Sequence, residues 1–113
     1  MRNISFSSTR QQFVDGSKDV TRRMGWKFLK VGDRLRAVEK CQGLKKGEKV
    51  RVLGVIEVVG VRREPLYKIT DDDVRREGFP DWTIEQFINF YCKAFGGEVD
   101  RIVTRIEFRK IKT

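Results

Sequence analysis

The sequence contains no histidine. That absence removes Ser-His-Asp and Cys-His catalytic arrangements and the common imidazole-ligated metal sites, so acid-base chemistry must come from lysine, carboxylates and hydroxyls. Cysteine is scarce: Cys41 and Cys92 lie far apart and match no metal-ligand spacing, so no metal and no other cofactor is expected. No apolar run approaches the roughly 20 residues that span a bilayer, and MRNISFSSTR at the start lacks the apolar core of a signal peptide. The expectation is a cytoplasmic protein with reduced thiols and no membrane partner.

A chain of 113 residues, 39% of them hydrophobic, is enough for one domain with a core that needs no disulfide, and a monomer is favoured. The 36% that are charged must then lie mostly at the surface. Residues 1–70 carry 17 Lys and Arg against 7 Asp and Glu, a balance of +10, whereas residues 71–113 carry 8 against 9. This segmental cationic excess is the electrostatic footprint of a nucleic-acid binder, although charge alone does not separate RNA from DNA or an anionic membrane.

In chain order, Ile4 and Phe6 alternate with polar residues in a short strand. Ser8-x-x-Gln11 has capping-box spacing for a helix with Phe13 and Val14 on its apolar face and Gly16 at its end. Asp19 to Met24 reads as a short extended segment. Leu35 and Ala37 alternate with Arg34, Arg36 and Val38, and GLKKGEK at 43–49 reads as a basic hairpin loop. VRVLGVIEVVGV at 50–61 is a long strand bent at Gly54 and Gly60. Thr70-x-x-Asp73 caps a short helix that Gly78 stops; Asp81 or Thr83 caps a second, whose stripe of Ile84, Phe87, Ile88, Tyr91 and Phe95 reads as core rather than as a stacking platform. A last strand, 102–108, sets Ile102, Thr104, Ile106 and Phe108 against Arg105 and Glu107. The whole reads as α+β, a small bent sheet or barrel with flanking helices.

The stretch from Asp15 to Leu35 concentrates Lys18, Arg22, Arg23, Lys27 and Lys30 around two large apolar anchors, Trp26 and Phe28. Its plain reading is a solvated basic strand and loop. Its functional reading is an anion site, or a hydroxyl, Thr21, activated by a desolvated lysine.

Gly16-Ser17-Lys18-Asp19-Val20-Thr21-Arg22-Arg23, then Gly32-Asp33-Arg34-Leu35, VLGVIEVVGV, Arg75-Arg76-Glu77-Gly78-Phe79 and Val103-Thr104-Arg105-Ile106-Glu107-Phe108, in this order, resemble an ASCH domain of the PUA-like superfamily over nearly the whole chain, 1–113. The resemblance implies a PUA-like mixed β-barrel with a cleft and a link to RNA or modified nucleosides. Some members are amidohydrolases acting on N4-acetylcytidine and others are ribonucleases. In the amidohydrolases a Lys-x-x-Thr element and a helical Glu do the chemistry, which here falls on Lys18, Thr21 and Glu77, with Thr21 as nucleophile, Lys18 as base and Glu77 at the leaving amine.

A lysine base near neutrality needs its pKa lowered by roughly three units from 10.4, about 4 kcal/mol of environment; Arg22 and Arg23 push that way and Asp19 opposes them. Residues at i and i+3 face opposite sides of a straight strand, so the chain must also bend between Lys18 and Thr21. A longer 43–49 hairpin and a longer 78–81 connection than the small amidohydrolases have leave Asp81 and Glu85 as alternative carboxylates, and Glu77 could simply pair with Arg75 or Arg76 at the surface. Two functions stand: an RNA- or nucleotide-binding module using Arg22, Arg23, Lys27, Lys45 and Lys46 for phosphates and Trp26 for stacking, or an amidohydrolase on a modified nucleoside.

Overall fold

β-Branched residues are concentrated in residues 52–61 and 102–106, and in a computed structural model of the chain these segments pair with three shorter ones into one mixed sheet. The structure describes residues 1–40 and 45–112; Cys41 and the Gly43-Leu44 start of the expected hairpin loop lie outside them. The strands are β1 (Arg2–Ser5), β2 (Val20–Arg23), β3 (Arg34–Val38), β4 (Val52–Pro65) and β5 (Ile102–Ile111), and the helices are α1 (Arg10–Asp15), α2 (Asp71–Arg76) and α3 (Ile84–Phe95). The sheet runs β1-β3-β4-β5-β2 and curls into a half-barrel; β1 and β3 are parallel and all other neighbours antiparallel.

Both expected bends lie in β4, which runs on to Pro65. The β3–β4 register shifts beside Gly54, whose φ of 152° favours glycine, and the β4–β5 register shifts between Val58 and Gly60. One side of the sheet holds a core of Ile4, Phe6, Phe13, Leu35, Ile56, Ile106 and Phe108; the other packs Val103 against Leu66, Val74, Phe79, Phe87 and Tyr91 beneath α2 and α3. β5 is therefore covered on both faces. Arg105, expected to face solvent, is 6% exposed because it lies under α2, while Ile102, expected inside, is 48% exposed.

Other local expectations shift. α1 is capped by Thr9 rather than Ser8, without a side-chain cap bond, and Val14 is exposed. Val38 is buried beyond the β3–β4 bulge. In the basic stretch Val20 and Leu29 are the buried anchors, Trp26 is half-buried and Phe28 is 48% exposed. α2 starts at Thr70, whose Oγ1 accepts from Asp73 N at 3.1 Å, and α3 at Thr83, which forms a full capping box with Gln86. Phe87 and Tyr91 are buried, and Phe95, at the helix end, is exposed.

Candidate functional site

The basic stretch turns inward. Lys18, Thr21 and Arg22 are 4%, 3% and 2% exposed, so the solvated-strand reading fails at these three residues. Lys18 precedes β2: Lys18 N donates to Gln12 O and Asp19 N to Arg76 O, and pairing with β5 begins at Asp19, whose carbonyl accepts from Phe108 N. Gly78 brings the opposite wall close: its φ is 104°, and a Cβ there would fall 2.6 Å from Gln12 Cγ and 3.5 Å from Lys18 Cβ. That contact seats Glu77, the C-cap of α2, on the lysine.

The Lys18 amine donates to Glu77 Oε1 at 2.7 Å and to Glu77 O at 3.0 Å, and Arg22 Nη1 donates to the other carboxylate oxygen at 3.4 Å. Glu77 is 3% exposed. Its expected surface pairing is overturned, because Arg75 bonds Asp72 while Arg76 bonds Asp19 and Glu107. Asp81 and Glu85 are exposed and do not line the cavity. Burial pushes the Lys18 amine below its ordinary range, Glu77 opposes this, and Arg23 and Arg22 add to it. The opposing carboxylate is thus Glu77, since Asp19 is turned to Arg76.

Lys18, Thr21 and Glu77 line one cavity of about 170 Å³. Phe79, Phe87, Phe90, Tyr91 and Phe95 form its aromatic wall, and Ser5 to Thr9 its rim. Thr21 Oγ1 accepts from Arg23 Nε at 3.0 Å, which leaves the hydroxyl proton available to a ligand or base. Among the described residues Lys18 makes no hydrogen bond to Thr21. The Tyr91 hydroxyl donates to Arg22 O at 3.3 Å, and its pKa is pushed up to about 12 by burial and then by the Glu77 charge.

Behind the cavity Arg22 and Arg105 stand directly opposite each other on β2 and β5. Two like charges there would repel, but Asp73 Oδ2 accepts from both at 2.7 Å, Asp73 Oδ1 accepts from Arg105 Nη2 at 3.0 Å, and Glu64 takes Arg22 Nη2 at 3.0 Å. Burial alone would raise the Asp73 carboxyl; the Arg105 and Arg22 hydrogen bonds outweigh it and hold the group well below the usual carboxylate range. The Arg22 side chain has no exposed surface and its Nε has no acceptor among the described residues, so it does not reach an outer phosphate. Sequence reasoning missed Asp73 as a site-supporting residue, although Asp73 and Glu77 at i and i+4 fall on one helix face. Arg22 and Arg23 line the cavity, whereas Trp26, Lys27, Lys45 and Lys46 do not.

This architecture is shared with solved structures. The chain superposes on an ASCH domain from Lactobacillus crispatus with TM-score 0.65 and 17% identity, covering 96% of this chain and 78% of that one. The fold is that of an ASCH domain. ASCH from Zymomonas mobilis gives TM-score 0.63 at 15% identity over 96% of this chain and 65% of that one, and a DUF984 protein from Enterococcus faecalis gives 0.62 at 16% over 93% and 68%. No family model matches the sequence, and no curated protein does either. At such identities the likeness is one of ASCH fold alone. No helix among the described residues is long and apolar enough to cross a membrane.

Proposed function

We propose that the protein is a nucleotide-recognition module whose cavity takes one nucleobase of an RNA or of a modified nucleoside. The observation that carries this reading is the convergence of Lys18, Thr21 and Glu77, buried and far apart in sequence, against the aromatic wall of α3. A cavity of about 170 Å³ is below the roughly 300 Å³ at which drug-sized pockets begin, so it suits a single heterocycle. The wall offers π-faces, and the ammonium, carboxylate and hydroxyl offer donors and acceptors to its polar edge. The net charge of +9 supplies attraction for a phosphate-bearing ligand.

A second reading, amide hydrolysis on a base such as N4-acetylcytidine, is favoured by the buried position of Lys18, whose amine is pushed toward neutrality. In that reaction Thr21 Oγ1 bonds the acyl carbon while neutral Lys18 takes the hydroxyl proton. The C–N bond then breaks, the leaving amine receives that proton, and water hydrolyses the acyl-threonine ester. Glu77 holds the Lys18 amine in the cavity wall and stabilises its protonated form between the two transfers.

Incubation with N4-acetylcytidine and with short RNAs tests both readings. Retention without conversion supports recognition alone, cytidine and acetate as products support hydrolysis, and neither retention nor conversion of any probe removes the proposal.

A further inference from the structure

We propose that the seam between β1 and β2 is a track for single-stranded RNA, with one base in the cavity and a base about three nucleotides along the strand stacked on a platform of Arg2, Trp26 and Phe28. The placement of the first base rests on the reading above; the platform rests on its own geometry.

β1 and β2 are the two edge strands of the half-barrel, each with one neighbour. Arg23 ties them together, its Nη2 donating to Ser5 O at 2.6 Å. On one side of this tie lie the cavity and its rim. On the other, β1 runs back to Arg2 and the chain beyond β2 runs on to Trp26, so the two segments meet again. The Arg2 guanidinium carbon sits 4.2 Å from the Phe28 ring centre and 5.6 Å from that of Trp26, and the two rings are 5.5 Å apart.

A lone exposed aromatic needs no explanation. This one is different in its company. Phe28 is 48% exposed, flanked by exposed Lys27 and Lys30, and covered by Arg2, which is also exposed. Trp26 takes φ 51°, a backbone conformation that is costly outside glycine and that carries its ring back onto the core beside Phe28. Aromatic faces interleaved with cations are the combination that holds single-stranded nucleic acid, the rings stacking on bases and the cations pairing with phosphates.

The spacing fits one strand. Three residue steps along β1, from Arg2 to Ser5 on the cavity rim, cover about 10 Å at 3.3 Å each, the rise of about three stacked nucleotides at 3.4 Å each. The rim offers RNA a contact that DNA lacks. No described residue engages the hydroxyls of Ser7, Ser8 or Thr9, and they offer donors and acceptors to a ribose 2′-hydroxyl, which only RNA carries.

The test is fluorescence anisotropy with a labelled cytidine hexamer of RNA and its DNA counterpart, beside equilibrium dialysis of N4-acetylcytidine. Phe28→Ala, at an exposed ring, should weaken RNA hexamer binding about tenfold and leave N4-acetylcytidine binding unchanged. Lys27→Ala should reduce the salt slope by about 0.7, whereas Lys93→Ala on the exposed side of α3 should not. An RNA hexamer bound equally by wild type and Phe28→Ala, or not bound at all, overturns the platform. Equal affinity for the DNA hexamer overturns the assignment to RNA. If N4-acetylcytidine fails to bind while Phe28→Ala still weakens the hexamer, the platform stands and the cavity reading falls.

Discussion

Replacing Glu77 by Gln removes one charge from the buried pair and keeps its shape. The Lys18 ammonium, 2.7 Å from the lost carboxylate oxygen, then sits desolvated against a neutral amide. Breaking a buried ion pair from one side costs about 3–5 kcal/mol. Lys18 can escape by losing its proton, which sets a ceiling on that cost. Releasing a proton from an ordinary lysine, pKa about 10.4, at pH 7 takes about 3.4 × 1.36, or about 4.6 kcal/mol. The ceiling falls with pH, and at pH 9.5 it is about 1.2 kcal/mol.

The sign follows from burial. A lysine whose folded pKa is depressed binds fewer protons in the folded than in the unfolded state between its two pKa values. Its penalty is therefore complete below the folded pKa and relieved as pH rises toward 10.4. Urea unfolding of wild type and Glu77→Gln at pH 7 and 9.5 reads the difference, and the other lysines cancel in it. The variant should lose about 3–4.6 kcal/mol at pH 7 and no more than about 1.2 at pH 9.5. A deficit that stays the same at both pH values, or is below about 1 kcal/mol at pH 7, would refute a buried, charge-dependent Lys18.

Phe87→Ala, which empties a 1% exposed ring site, should cost about 3–5 kcal/mol in urea unfolding; a cost below about 1 would mean α3 is not packed as described. Tyr91 should show a phenolate transition at about 12 that Tyr91→Phe removes, and its contribution to stability, present below about 10, should be lost as pH rises toward that value. Asp73→Asn should leave Arg22 and Arg105 facing each other, and because the folded Asp73 carboxyl is held below its ordinary range, the stability gap to wild type should narrow as pH falls below about 3.9. Lys18→Arg should retain N4-acetylcytidine while abolishing any deacetylation, since a guanidinium does not give up its proton near neutrality. Lost binding would make Lys18 a recognition contact that needs an ammonium.

Much of the architecture was legible in local pattern. Thr70 and Thr83 announce their helices through side-chain bonds to residues three positions on, Gly78 ends one, and Gly54 and Gly60 mark the shifts along β4. The inward turn of Lys18 and Arg22 was not, because their partners Glu77, Asp73 and Glu64 lie 42 to 59 residues away and only tertiary packing makes burial of the cations tolerable. β5 departs from its alternation for a similar reason. Alternation predicts one covered face, and nothing within 102–108 says that α2 will cover the other and neutralise Arg105 with Asp73. The Lys18-x-x-Thr21 spacing was legible as a motif, whereas the aromatic wall of its cavity read only as core stripe, and Phe87 and Tyr91 serve as both.

The central claim is that the ligand enters the cavity, and backbone amide shifts during titration with N4-acetylcytidine test it most directly. Saturable shifts at Lys18, Thr21, Glu77 and Phe90, with Lys45 and Lys46 unmoved, are the predicted result. Shifts centred on residues 45–49, or none at about 1 mM ligand, where even a weak site of about −4 kcal/mol is half filled, would contradict it.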